Sequence, residues 1–396
     1  MSDSGTPAPS PVKPKAAAVY NRGVRVALVH DWLTGMRGGE RCLEVFCELY
    51  PDADLFTLLH VPGAVSPVIE RRRIVTSFVQ HLPRAATVYR NYLPLFPAAV
   101  ARFDLRGYDL VLSSSHCVAK GVRVPPGTVH VCYCFTPMRY VWDRYDDYFG
   151  RGAGALTRAA MPPLAAALRR WDRRASGRVH HFVGISRHVA ERIRACYARS
   201  ADVIYPPVDA QRFQVADDSD GDFYLVVSAL APYKRVDLAV QAAGRLGRRL
   251  LVVGSGPEAP RLKALAGLTV EFLGWRNDAE IAELYRRCRA LLFPGLEDFG
   301  IVPLEAMAAG RPVIAFAGGG ALETVVPMGG DEPPTGVFFS EQTVEALTAA
   351  ILTFEGQADR FVPKALRAHA EIFDRPRFKD QIAAYLERRL REGPPC

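Results

Sequence analysis

The glutamates Glu297 and Glu305 stand eight positions apart in PGLEDFGIVPLEAMAAG, Pro294 to Gly310, among apolar and small neighbours. An ionised carboxylate only accepts hydrogen bonds, so two of them in such a setting can hold the hydroxyls of a polyhydroxylated ligand. The alternative for Glu305 is a first-turn cap that complements the helix dipole. The alternative for Glu297 is a solvated loop side chain. RALLFP reads as a short buried strand, GLEDFG breaks it, and VPLEAMAA is helical with Pro303 in its first turn and Gly310 at its end. Glu297 then lies on the loop and Glu305 on the first helical turn. The N–H groups of Asp298, Phe299, Gly300 and Ile301 fall at the helix start, where unpaired donors form an anion site.

Positioning these groups takes a large α/β scaffold. The chain has 396 residues, 49% of them hydrophobic, which is enough for two domains with full cores. VRVALVHDW, DADLFTLLH, YDLVLSSSH, TVHVCYCF and VHHFVGIS are apolar strand candidates separated by helical stretches and turn residues. After the Pro- and acid-rich VIYPPVDAQRFQVADDSDGD, the alternation restarts with FYLVVSAL, RRLLVVGSG, TVEFLGW, RALLFP and PVIAFA. This pattern predicts two Rossmann-like, doubly wound α/β domains, 23–208 and 209–375, whose crevices at strand carboxyl ends face a central cleft. RFKDQIAAYLERRLRE predicts a closing helix, within 376–396, that packs back on the first domain. Residues 1–22, rich in Pro, Ser and Ala, read as a disordered leader.

No apolar run reaches the roughly 20 residues that cross a bilayer. Eight scattered cysteines without a CxxC pair read as reduced thiols of a cytoplasmic protein. The formal charge of +8 is concentrated, since residues 151–200 hold eleven Arg and no Lys against Asp172 and Glu191. A second segment, SFVQHLPRAATVYRNYLPLFPAAV, mixes Arg84 and Arg90 with Tyr89, Tyr92, Leu93, Leu95 and Phe96. The two stretches are read either as a solvated face with ordinary core packing or as a surface for the anionic inner face of the cytoplasmic membrane, with a phosphorylated acceptor as a further reading of the Arg-rich one. No nucleic-acid module accompanies the charge, so no nucleic-acid partner is expected.

Several motifs occur in one order: RGGER after the first strand, the linker VIYPPVDAQRF, PYKRVDLAV, VVGSGPE, FLGW, and Glu297 and Glu305 on a strand–loop–helix unit followed by GRPVIAFAGGGALETV. Together they resemble a retaining glycosyltransferase of the GT-B fold, family 4, from about Val24 to Leu390. HDWLTGMRGGER, SSSHCVAKG and CYCFTPMRYVWD most resemble the mannosyltransferases that build bacterial O-antigen and exopolysaccharide chains. The resemblance implies a nucleotide-sugar donor, GDP-mannose first, and a lipid-linked glycan acceptor. It implies that Lys234 contacts the donor phosphates, Glu305 the ribose hydroxyls, Glu297 the transferred sugar, Trp275 the base and His116 the donor sugar. Gly38 and Gly39 belong to the same site, with Gly39 letting the opposite domain approach closely. The chemistry is consistent, because negative charge grows on the diphosphate as the sugar leaves and preset cations and N–H donors stabilise it.

The family often carries Arg where this chain has Ala229, and Arg235 is the candidate replacement. Trp275 could instead be core, Lys234 a surface charge and His116 a satisfied half-buried histidine. Arg139, Tyr140, Trp142 and Asp143 in TPMRYVWD either bind an acceptor sugar or pack on the core. Asp52-Ala-Asp54 and Asp218-Ser-Asp220 match the DxD pattern of metal-dependent transferases, but neither sits at a strand's carboxyl end. No metal and no further cofactor is therefore expected. The alternatives are another GDP- or UDP-sugar as donor, a sugar-nucleotide 2-epimerase that needs no acceptor, or a non-catalytic nucleotide-sugar-binding subunit.

Overall fold

The computed structural model describes residues 23–143, 145, 155–216 and 221–394. The leader 1–22 and the pair Asp218 and Asp220 lie outside them. The first sheet has seven parallel strands: β1 (Val26–His30), β2 (Asp54–Thr57), β3 (Ile74–Thr76), β4 (Leu110–Ser115), β5 (Val129–Cys134), β6 (His181–Gly184) and β7 (Asp202–Val203). Their order is β3-β2-β1-β4-β5-β6-β7. The second sheet has six: β8 (Phe223–Val227), β9 (Arg249–Val253), β10 (Val270–Gly274), β11 (Leu291–Phe293), β12 (Val313–Phe316) and β13 (Gly336–Phe339). Their order is β10-β9-β8-β11-β12-β13, again all parallel. Strand order reverses between β1 and β4 in one sheet and between β8 and β11 in the other. Such switch points open a crevice beyond the strand carboxyl ends.

The central strands are buried on both faces. Val26 and Leu28 of β1 join one core cluster, while Ala27 and Val29 join a second on the opposite face. β4 ends in three buried serines, whose hydroxyls need partners inside the sheet. Ser113 Oγ lies 2.9 Å from His130 Nε2, and Ser114 Oγ lies 2.8 Å from His30 Nδ1.

The helices that position the site are α1 (Gly38–Leu49), α2 (Ala155–Ser176), α3 (Arg187–Tyr197), α4 (Asp278–Arg287), α5 (Ile301–Ala308) and α6 (Arg375–Glu392). The chain passes between the domains twice at one place, where Val208 N–H donates to Phe373 O at 2.9 Å and Arg375 N–H donates to Val208 O at 3.1 Å. From there α6 runs over the first domain. Phe378 packs 6.0 Å from Phe46 and 5.6 Å from Tyr133, and Arg375 pairs with Glu44 and Glu48.

The structure bears on both basic stretches. The segment 77–100 is a string of short helical turns whose apolar side faces the core: Tyr89, Leu93 and Phe96 are buried, leaving Leu95 as its exposed large apolar side chain. Most described arginines of the basic window are also committed internally. Arg173, Arg178 and Arg199 donate to backbone carbonyls, and Arg192 and Arg187 pair with carboxylates. Among the described residues no helix is long and apolar enough to cross a membrane.

Candidate active site

The two switch points face each other across a cavity of about 420 Å³. Helix α1 starts at Gly38, where Glu40 Oε2 accepts the Arg37 N–H at 3.0 Å and fixes the turn. Its amino end meets the amino end of α5 from the other domain. A Cβ on Gly38 would lie 2.8 Å from Ile301 Cδ1, whereas one on Gly39 would meet Phe135 of its own domain at 3.3 Å. The close approach of the opposite domain is thus made at Gly38, not at Gly39. Gly300 caps α5 with φ +103°, a left-handed conformation that favours glycine. Two sets of free helix-end donors therefore point at one space.

Lys234 and Glu297 join them there, and their side chains form an ion pair. Asp298 does more than lend its N–H. Its carboxylate pairs with Arg139 and with Arg192 Nη1 at 2.5 Å, and its carbonyl accepts the Ser186 hydroxyl at 2.6 Å. Burial raises the Asp298 pKa, but Arg139 and Arg192 outweigh it and hold the carboxyl below its usual value. The Phe299 ring is buried and stacks on Tyr205 with centroids 5.6 Å apart. This loop is thereby tied to the first domain on three sides.

His116 lines the cavity, as its place at the end of β4 predicts. Its Nδ1 lies 3.2 Å from Asp31 Oδ2, and its ring meets Trp32 edge-on at 4.5 Å. Burial pushes His116 down to about 4 despite the Asp31 carboxylate, so the imidazole is neutral near pH 7. With Nδ1–H directed at Asp31, Nε2 is left as an acceptor for a ligand hydroxyl. Asp31 is fully buried and accepts the N–H groups of His116, Cys117, Val118 and Ala119 at 2.7–2.9 Å. Burial raises its pKa, but His116 and these donors more than compensate. Asp31 holds the loop and the tautomer together.

Three expected site residues lie apart from this group. Arg235 has φ 49° and turns its guanidinium onto Asp237, 3.2 Å away, so it does not replace the cation missing at Ala229. Arg37, exposed beside Gly38, lines the cavity instead and was missed, although it opens the RGGER motif. Trp275 is 73% exposed and is not core, and it lies outside the cavity lining. Glu305 faces sideways from α5: Tyr285 OH donates to it at 3.2 Å, and Arg41 and Arg212 meet nearby on Asp278 at 2.9 and 2.5 Å. Burial pushes the Glu305 carboxyl up to about 6, opposed by the two arginines.

In TPMRYVWD, Arg139 and Tyr140 reach the cavity, whereas Trp142 Nε1 donates to Asp172 at 2.8 Å and Asp143 pairs with Arg192 at 2.6 Å. Behind that loop lies a cluster that sequence reasoning did not find. Lys120 and Asp172, both fully buried, pair at 2.6 Å, and Lys120 Nζ also donates to Cys117 O at 2.7 Å. Asp52 and Asp54 lie at the amino end of β2, where Asp54 pairs with Arg73 and accepts from Tyr108, away from the cavity.

Residues 207–365 match the family described as "Glycosyl transferases group 1". D-inositol 3-phosphate glycosyltransferase of Mycobacterium avium is 28% identical over 216 residues, 48% of this chain and 50% of the relative. The chain thus matches about half the length of that curated relative. Sucrose-phosphate synthase from Thermosynechococcus elongatus superposes with a TM-score of 0.67 at 19% identity, over 92% of this chain and 98% of that one. Anabaena HepE in complex with UDP-glucose superposes at 0.66 with 18% identity, over 92% and 100%. The chain therefore has the GT-B fold, and its residues 207–365 are similar to the group 1 glycosyl transferases.

Proposed function

We propose that this chain is a retaining glycosyltransferase that moves a sugar from a nucleoside diphosphate onto an acceptor hydroxyl. The observation that carries the reading is the convergence of Lys234 with the amino ends of α1 and α5 on one cavity at two opposed switch points. A diphosphate placed there displaces the Glu297 carboxylate from Lys234 and meets N–H donors from both domains. Glu297, once released, accepts hydroxyls of the transferred sugar, and neutral His116 accepts another through Nε2. Glu305, between Tyr285 and the Arg41–Asp278–Arg212 cluster, holds the ribose hydroxyls.

Of the described cavity groups, Glu297, Asp298 and His116 are each engaged with a charged partner. The departing phosphate therefore takes the acceptor's proton on the same face of the sugar, and configuration is retained. With cations and helix ends balancing the phosphate charge, turnover is independent of divalent metal. HepE is described with UDP-glucose, which supports a nucleotide-sugar donor. The motifs HDWLTGMRGGER and CYCFTPMRYVWD favour mannose from GDP-mannose and a lipid-linked glycan acceptor at the membrane's cytoplasmic face.

Thermal unfolding against UDP-glucose, GDP-mannose and related donors tests the reading. A donor at a hundred times its dissociation constant adds about 2.7 kcal/mol. No stabilisation by any of them would overturn it. The anomeric coupling in the product then decides stereochemistry, since a β-linkage from an α-linked donor refutes retention. Loss of turnover in EDTA, restored by manganese or magnesium, refutes metal independence.

A further inference from the structure

Beneath the Gly38–Gly39 turn, the cavity floor carries two polar groups that donor binding leaves unused. His30 ends β1 and is 1% exposed. Its Nδ1 is held by Ser114 Oγ at 2.8 Å, but its Nε2 has no hydrogen-bond partner. Glu40 is 4% exposed and sits opposite. One of its oxygens caps Arg37, while Oε1 stops 3.7 Å from His30 Nε2, too far for a hydrogen bond. Both residues line the cavity, with the Phe135 ring edge-on to His30 at 6.3 Å.

An orphaned nitrogen this deeply buried is a standing cost unless a ligand satisfies it. Burial raises the Glu40 pKa, and the His30 imidazole outweighs it, so the carboxyl stays ionised at neutral pH. An anionic oxygen beside Nε2 favours the tautomer with its proton on Nε2. The pair then offers one acceptor and one donor, which is the complement of a single hydroxyl. It also repels phosphate, so the diphosphate must stay toward Lys234 and the helix ends. A hydroxyl held here lies on the first domain's side of the cavity, against an aromatic wall suited to the apolar face of a sugar or cyclitol ring.

We propose that His30 and Glu40 form a subsite for a hydroxyl of a neutral, polyhydroxylated ring of the acceptor. This rests on the transferase reading above. Asparagine at position 30 keeps a polar atom near Ser114 and deletes Nε2, and glutamine at position 40 can still accept the Arg37 N–H. The variants His30→Asn and Glu40→Gln are therefore suited to the test. The probes are methyl α-D-mannopyranoside, methyl α-D-glucopyranoside and myo-inositol, and the readout is the probe's acceleration of nucleoside diphosphate release from the donor. For the probe that accelerates release, its KM should rise about tenfold or more in each variant, the loss of roughly one hydrogen bond to a charged group, while the donor Kd moves less than about threefold.

Unchanged probe KM in both variants would overturn the subsite. So would a wild-type protein that is stabilised by a donor yet responds to none of the probes. Saturation-transfer NMR with the donor-free protein reads the same contact independently: the probe should bind wild type and lose its signal in both variants. If no nucleotide sugar stabilises the chain, the transferase reading fails, and the NMR result still decides the subsite.

Discussion

The two halves of the cleft are built from different materials. On the second domain, several site residues pair within that domain, Lys234 with Glu297, Arg235 with Asp237 and Glu305 with Tyr285, while Asp298 reaches across to Arg139 and Arg192. On the first domain, the polar groups come from distant parts of the chain and are buried. His30 meets Ser114 84 positions away, and Asp31 binds four N–H groups 85 to 88 positions away. Ion pairs at a cavity edge exchange partners when an anion arrives, at small net cost. A buried network does not exchange, because each member left unpaired costs its full desolvation. The first domain is thus a preset mould, and the second domain is the half that rearranges around the diphosphate.

Breaking the mould should have the largest effect. Burial lowers the pKa of Lys120, but the Asp172 carboxylate overrides it and keeps the ammonium charged. Lys120→Met leaves Asp172 buried without its cation beside the neutral Trp142 and Tyr197 donors, which should cost about 3–5 kcal/mol of stability. Adding Asp172→Asn to that variant should restore part of the loss. Urea midpoints read both steps, and an unchanged midpoint in Lys120→Met would show that the network is not the rigid half.

Disturbing the rearranging half should cost less stability and more chemistry. Lys234→Ala removes one charged partner of the diphosphate, so turnover should fall by about 1.5–3 kcal/mol, roughly 10- to 150-fold, with the urea midpoint nearly unchanged. Glu297→Ala should reduce turnover with a smaller effect on donor affinity. Steady-state kinetics and calorimetry separate the two. A midpoint shift as large as that of Lys120→Met would erase the distinction between the halves.

The same contrast decides what could be read in advance. Strand alternation and the two doubly wound halves were legible, because buried strands such as VALVH and LLF are continuous apolar runs between turn residues. β3, β7 and β13 were not, since the first two are edge strands of three and two residues and GVFF follows the polar MGGDEPPT. Glu297 and Gly300 were legible because they share one short strand–loop–helix unit, and Lys234, far from them along the chain, was legible through the PYKR motif. Asp31, Glu40, Lys120 and Asp172 were not, because a buried charge has no local signature until its distant partner is known. Arg235 misled for a related reason. Sequence placed it beside Lys234, but a left-handed backbone and Asp237 turn it elsewhere.

Acidity sharpens the comparison at a finer scale. Glu305 has its folded pKa raised from 4.5 to about 6 by burial, so the folded protein holds a proton that the unfolded chain releases. Its contribution to stability is therefore present below about 4.5 and lost as pH rises toward 6. Ribose hydroxyls need the ionised form as acceptor, so donor affinity should move the other way and rise several-fold through the same window. In Glu305→Gln that dependence should flatten. His116, neutral from about 4 upward, adds no step there. A donor titration that is equally steep in wild type and Glu305→Gln would assign the ribose contact to another group.

The smallest effect belongs to the outer surface of the first domain. With Tyr89, Leu93 and Phe96 inside the core, the 77–100 segment offers no apolar face to insert into a bilayer. Of the exposed described arginines at 161–200, Arg173 donates to Cys196 O and Arg187 pairs with Glu323, while Arg170, Arg174 and Arg194 project from α2 and α3. A cation near an anionic membrane contributes about 1 kcal/mol and is screened by salt. Three of them give weak, reversible binding rather than anchoring. The protein should sediment with phosphatidylserine vesicles at low ionic strength, detach as salt rises, and ignore phosphatidylcholine vesicles. Arg170→Glu with Arg174→Glu should weaken that binding by about fivefold or more per site, while Leu95→Ser should leave it unchanged. Sedimentation that resists salt, or that falls with Leu95→Ser, would mean that the first domain opens its core to the membrane and is not a rigid mould.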